Sequence, residues 1–190
     1  MTVDTAANEV HVADGYRNRR VIVFDATTGA YKRHWGAYGR RPDDAAQGPF
    51  DPLAAPRQQF SPPVHCVRLA QDGLLYVCDR SNNRIQVFRR DGTFVNEMVV
   101  DKKTRGLGPL CDIAFSRDAG QRFFYIADCA NDTVHIVSRQ DLAIVGAFAR
   151  KGRHAGQIYG PHLLAVDSKE NIYVAEVFGK RVQKLEYKGR

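Results

Sequence analysis

Two histidines stand at the same distance from an acidic residue. His65 precedes Asp79 by 14 positions, and His162 precedes Glu176 by 14. Each opens an apolar run, "HCVRL" and "HLLAV". Neutral imidazoles from separate strands, with one position open for water, suit a catalytic zinc ion. Such an ion would act as a Lewis acid or lower the pKa of its water. A third residue stands apart from any repeat: Tyr16, in "VADGYRNRRVIVF", lies two after Asp14. Ser81, Ala130 and Phe178 hold that place after Asp79, Asp128 and Glu176. A phenol beside a metal is a candidate general base, or a group that orients a substrate hydroxyl. The competing reading is two unrelated histidines and an exposed aromatic packed on a neighbouring loop.

These residues sit in a repeated frame. An apolar run, an acidic residue, a polar turn and a second apolar run recur four times. The copies are "VHVADGYRNRRVIVF", "LYVCDRSNNRIQVF", "FYIADCANDTVHIV" and "IYVAEVFGKRVQKL". Their acidic residues Asp14, Asp79, Asp128 and Glu176 are separated by 65, 49 and 48 positions. Each copy has a flanking strand before it, and the first three have one after it. Alternating β-branched and aromatic residues with Asp-Gly or Thr-Gly turns read as antiparallel strands. No amphipathic helix pattern is present. Four strands in about 48 residues is the signature of a β-propeller blade.

The fold expected is therefore all-β, a propeller forming a single domain over 1–190. It has three full blades, a three-stranded last blade and a long Pro/Ala/Gln-rich loop at 37–61. Label the strands of each blade a to d. His65 and His162 then begin strand a, on the face that also carries the b–c turns and Tyr16. The loop at 37–61 joins two blades on that face, where it would serve as a rim or lid. A ring closes when one terminus supplies the missing outer strand, and here the first blade begins at strand a. The expectation is that these residues are the C-terminal part of a longer propeller, with a histidine directly before Met1. Unpaired blade edges would favour self-association.

The repeated carboxylates are expected to organise the b–c turns. Arg20, Arg84 and Arg181, recurring at the start of strand c, are expected to pair with nearby turn groups. His11, His34, His135 and His154 lack the repeated station. Cys66, Cys78, Cys111 and Cys129 form no C-x-x-C pair, which excludes zinc-finger and thioredoxin readings. Cys66 and Cys78 face each other if 65–79 is a symmetric hairpin, so a disulfide is open there. Cys111 falls at about the histidine station of its own blade, as a core residue or a soft ligand.

The segments "PHLLAVD", "NIYVAE" and "KRVQKL", with the Gly-rich lead-in "GRHAGQIYGPH", resemble the NHL repeat. That resemblance implies a propeller of usually six blades, about four of which are present here. Within it, Asp14-Gly15-Tyr16 followed by Asn18 and Arg19, then Trp35-Gly36, His65, Cys78 to Gln86 and His162, resemble the peptidyl-hydroxyglycine amidating lyases. The resemblance implies a zinc-dependent lyase with His65 and His162 as metal ligands and Tyr16 as catalytic residue. It also favours a periplasmic or extracellular setting. Two positions depart from that family: Arg17 stands where it has cysteine, and Leu163 where it has aspartate.

Composition bounds the alternatives. Net charge is +7, but the basic residues are scattered through many turns. No array of exposed aromatics and basic residues marks an RNA-binding surface. No run approaches the roughly 18 apolar residues of a membrane span. Besides the lyase, the sequence allows a non-catalytic scaffold whose propeller face binds a small molecule, a peptide or another protein.

Overall fold

The computed structural model describes residues 1–106 and 108–189. It is all-β, and among the described residues the helical segments are two single 3-10 turns, Ala37–Gly39 and Arg80–Asn82. The first blade comprises β1 (Thr2–Asp4), β2 (Glu9–Asp14), β3 (Arg20–Asp25) and β4 (Tyr31–Trp35). The second holds β5 (Val64–Leu69), β6 (Leu75–Asp79), β7 (Arg84–Phe88) and β8 (Phe94–Val99). The third holds β9 (Leu110–Phe115), β10 (Phe123–Asp128), β11 (Thr133–Ser138) and β12 (Ile144–Phe148). The last holds three strands, β13 (Pro161–Val166), β14 (Ile172–Glu176) and β15 (Arg181–Leu185). Every blade is an antiparallel meander in chain order. The blades fall into two compact units, Met1–Gly108 and Pro109–Arg190, with two blades in each.

The first unit is held by an apolar layer between its two sheets. Val21, Val23 and Trp35 of the first blade pack with Val67, Val77 and Phe88 of the second. These are the inward halves of alternating strands, as period-2 patterning requires. Charged groups lock the same interface. Glu9 accepts from Arg33 through both carboxylate oxygens and from Lys32 at 2.7 Å. The Arg33 hydrogen bonds hold the Glu9 carboxyl down at about 2, against burial, which pushes it up. Arg33 also donates to the Arg90 carbonyl, and the Arg90 side chain pairs with Asp4. His11 is fully buried beside Glu9, and burial pulls its imidazole below the usual range.

In the second unit Cys111, Ala127 and Val134 pack with Ile158, Leu164 and Val174. Two disulfides cross between the first two strands of a blade. Cys66 and Cys78 are direct cross-strand partners and are bonded. Cys111 bonds Cys129, just past the end of β10. The sequence left the first bridge open and did not show the second, because residue 129 lies in a turn whose position against β9 no spacing rule fixes.

Candidate functional site

The repeated carboxylates are turn organisers. Asp14 accepts from Asn18 at 2.9 Å and Arg20 at 2.8 Å. Asp79 accepts from Ser61 N, Asn82 and Arg84 at 2.9, 2.7 and 2.7 Å. Glu176 accepts from Tyr159 N and Arg181, both at 2.9 Å, and from Gln183. In the third blade His135 takes the role that arginine plays elsewhere, 3.0 Å from Asp128. Each b–c turn is thus closed by its own carboxylate and a basic side chain from the following strand. His135 is therefore part of the repeat, although its type and offset hid it.

The same registers explain the histidine station. Val64 pairs with Asp79, and Cys66 with Cys78, so His65 is left over in a β-bulge. Pro161 pairs with Glu176 and Leu163 with Ala175, which leaves His162 in the same place. Leu110 pairs with Asp128 and Asp112 with Ala127, which leaves Cys111 there. A bulge sets one extra residue against a single partner position, bends the strand and re-aims its side chain. The spacing of 14 is the trace of that bulge, set one residue past the partner of the turn carboxylate. The sulfur of Cys111 is bonded to Cys129, so in this state it is no thiolate ligand.

Tyr16 and His65 are brought together within the first unit. The Tyr16 hydroxyl lies 3.3 Å from His65 Nε2, and the ring centroids are 6.0 Å apart. His65 is half-buried, whereas Tyr16 is 73% exposed and reaches His65 across the surface. Gly15 makes this approach possible. A Cβ there would lie 2.1 Å from Val64 N and 2.2 Å from Val64 O. The glycine is needed because two backbones meet, so the β2–β3 turn sits on the first residues of β5.

Arg80 stands in the same unit, near enough for its charge to feel Tyr16. It opens the 3-10 turn after β6, and its Nε donates to the Gly108 carbonyl at 3.3 Å. Burial lowers the pKa of its guanidinium, and the nearby Tyr16 phenol opposes that shift. Sequence reasoning missed Arg80. The signal was available: Gly15, Cys129 and Val177 hold the equivalent place in the other copies, and the same non-recurrence had singled out Tyr16.

The long loop is pinned at both ends to the second blade. At its start Tyr38 N donates to Gln86, and the Tyr38 hydroxyl lies between Arg84 and Glu97, at 2.7 and 3.0 Å. At its end the Gln59 carbonyl accepts from Asn82 and Arg84, and Ser61 N reaches Asp79. These contacts bury Asp79 and Arg84 almost completely, while their first-blade counterparts Asp14 and Arg20 remain about one-third exposed. Burial pushes the Asp79 carboxyl up, and Arg84 with three hydrogen bonds opposes it. Between its anchors the loop lines two cavities, of about 190 and about 280 Å³, over the b–c turns of this unit.

Residues 64–88 match the NHL repeat. The human NHL repeat-containing protein 3 is 31% identical over 128 residues, covering 63% of this chain and 34% of its own length. The chain therefore spans about one-third of that relative. Among solved structures, virginiamycin B lyase from Staphylococcus aureus is similar with a TM-score of 0.64. Its identity is 14%, and the match covers all of this chain and 52% of that one. The β-propeller domain of Cps50 (Swd1) from Myceliophteria thermophila gives 0.60 at 11% identity, over 96% of this chain and 51% of its own. At these identities the likeness is one of fold, and it supports the β-propeller architecture.

Proposed function

We propose that this chain belongs to a longer NHL-type propeller with metal-assisted lyase activity resembling that of the peptidyl-hydroxyglycine amidating lyases. The observation that carries the reading is the Tyr16–His65 contact at 3.3 Å. It joins the one non-recurring phenol of the turns to a histidine at the bulge station. His65 and His162 would hold the ion, and their imidazole nitrogens suit zinc. Cys111, at the third bulge, is spent in a disulfide. When bound, zinc would supply Lewis-acid activation of a substrate oxygen.

The remaining chemistry falls to the chain's own residues. Tyr16, as its phenolate, would take the proton of a substrate hydroxyl as the carbonyl forms and the adjacent C–N bond breaks, and would return that proton to the departing amide nitrogen. In a hydroxyglycine substrate that cleavage yields an amide and glyoxylate. The positive charge of Arg80 near Tyr16 would favour negative charge developing on the phenol. The loop at 37–61 forms the rim of the site. Two disulfides in 190 residues suit an oxidising compartment, periplasmic or extracellular.

The test is metal analysis and glyoxylate release by the full-length protein carrying these residues. Zinc is expected in the wild type and lost on His65→Ala with His162→Ala. Tyr16→Phe should keep the metal and lose turnover by about 100-fold or more. Absence of both zinc and glyoxylate release in the wild type would sink the reading in favour of a binding scaffold, and release unmoved by the double substitution would sink the metal role of His65 and His162.

A further inference from the structure

The cavity of about 280 Å³ beneath the loop is lined by Arg19, Gln47, Arg57, Ser61, Pro62 and Ser81, among others. Its two arginines have unusual partners. Arg19 is 93% buried, being 7% exposed, and donates to the carbonyls of Asp43 and Ala45. Its Nε–H is buried and finds no acceptor among the described residues. Arg57 donates to Gln47 Oε1 and Ser61 Oγ, both at 3.0 Å. It also donates to the carbonyls of Gly48 and Pro49, at 2.6 and 2.5 Å. Every one of these acceptors is neutral.

Several other arginines are paired with carboxylates. Arg20, Arg33, Arg84, Arg90 and Arg181 all form ion pairs, and the last four include a carboxylate that is nearly buried. Arg19 and Arg57 share one cavity and meet no carboxylate among the described residues. A buried guanidinium without a counter-charge is costly, and carbonyl dipoles offset that cost only in part. An anion small enough for the cavity would supply that counter-charge. Guanidinium forks match the planar or tetrahedral oxygens of such groups.

We propose that this cavity binds an oxyanion, the carboxylate or phosphate group of a small ligand, between Arg19 and Arg57. The site is separate from the histidine station and rests on neither the metal nor Tyr16. It gives the pinned loop a specific task, which is to carry Arg57 and Gln47 over the β2–β3 turn that carries Arg19.

Calorimetric titration of the full chain with sodium acetate and with inorganic phosphate tests this, with chloride at matched ionic strength as reference. Saturable binding of at least one oxyanion is expected, and which one binds separates carboxylate from phosphate ligands. Arg19→Gln and Arg57→Gln should each weaken it by about tenfold or more. Arg20→Gln removes the same unit charge from the same turn and should leave affinity within about twofold, since its partner is Asp14. Should Arg19→Gln fail to fold, the half-buried Arg57 carries the test alone. The proposal is overturned if neither anion binds above chloride, or if Arg20→Gln weakens binding as much as Arg57→Gln.

Discussion

Replacing Gly15 with alanine tests how Tyr16 is placed. The new Cβ would meet Val64 N at 2.1 Å and Val64 Cα at 2.5 Å, where ordinary contact begins near 3.4 Å. Moving from 2.1 to 3.4 Å requires the turn to retreat from β5 by about 1.3 Å. Overpacking typically costs about 1–3 kcal/mol, and the obstacle here is backbone, which cannot change rotamer. A cost near about 3 kcal/mol lowers Tm by about 6–12 °C for a chain of this size. The same retreat breaks the 3.3 Å Tyr16–His65 contact, which imidazole NMR shifts of His65 would register. Gly29→Ala is the control. Gly29 has a φ of +72° and open space around it, so alanine there pays only for left-handed backbone, about 1 kcal/mol. A Gly15→Ala protein within about 2 °C of wild type, with unchanged His65 shifts, would refute the close-approach argument.

Further outcomes follow from the buried charges and the bridges. Glu9→Gln should destabilise the first unit most above pH 4.5. Because the folded carboxyl is held at about 2, its contribution is lost as pH falls from 4.5 towards 2; the gap in Tm between wild type and variant should close over that window in acid melts. Asp79→Asn removes the nearer and fully buried carboxylate from Arg84, which is 2% exposed and keeps Glu97 at 3.4 Å, and should cost about 3 kcal/mol by denaturant titration. Asp14→Asn, whose partner Arg20 is one-third exposed, should cost under about 1 kcal/mol. Removing the Cys66–Cys78 bridge by double alanine substitution should cost about 2–4 kcal/mol, with faster hydrogen exchange centred on β5 and β6.

Much of this architecture was legible because a blade is a local object. Alternation, turn residues and the repeated carboxylate fix four meanders, and the three-stranded last blade follows from counting. The arginines of the turns were legible for the same reason, since recurrence points to structure. What stayed hidden depends on contacts between segments distant in the chain. Gly15 reads as part of an Asp-Gly hairpin turn until Val64 is seen against it. Arg19 and Arg57 lie 38 positions apart, in a turn and an irregular loop that no periodicity relates. His135 lacks the histidine station, and its place among the turn arginines is masked by its type and by sitting seven after Asp128, whereas they sit five or six after their acids. Of the candidate site, residue types and the histidine station were readable, whereas Arg80 needed the fold.

The bulges at His65, Cys111 and His162 separate two demands that usually compete. The ladder around each is anchored by a turn carboxylate and its basic partner. The extra residue lies at the register shift of that ladder. A side chain placed there can be imidazole or thiol without altering which strands pair or in what register. Each blade thus offers a socket whose contents can be exchanged at little cost to folding, so one repeated scaffold can be fitted for different chemistries, blade by blade.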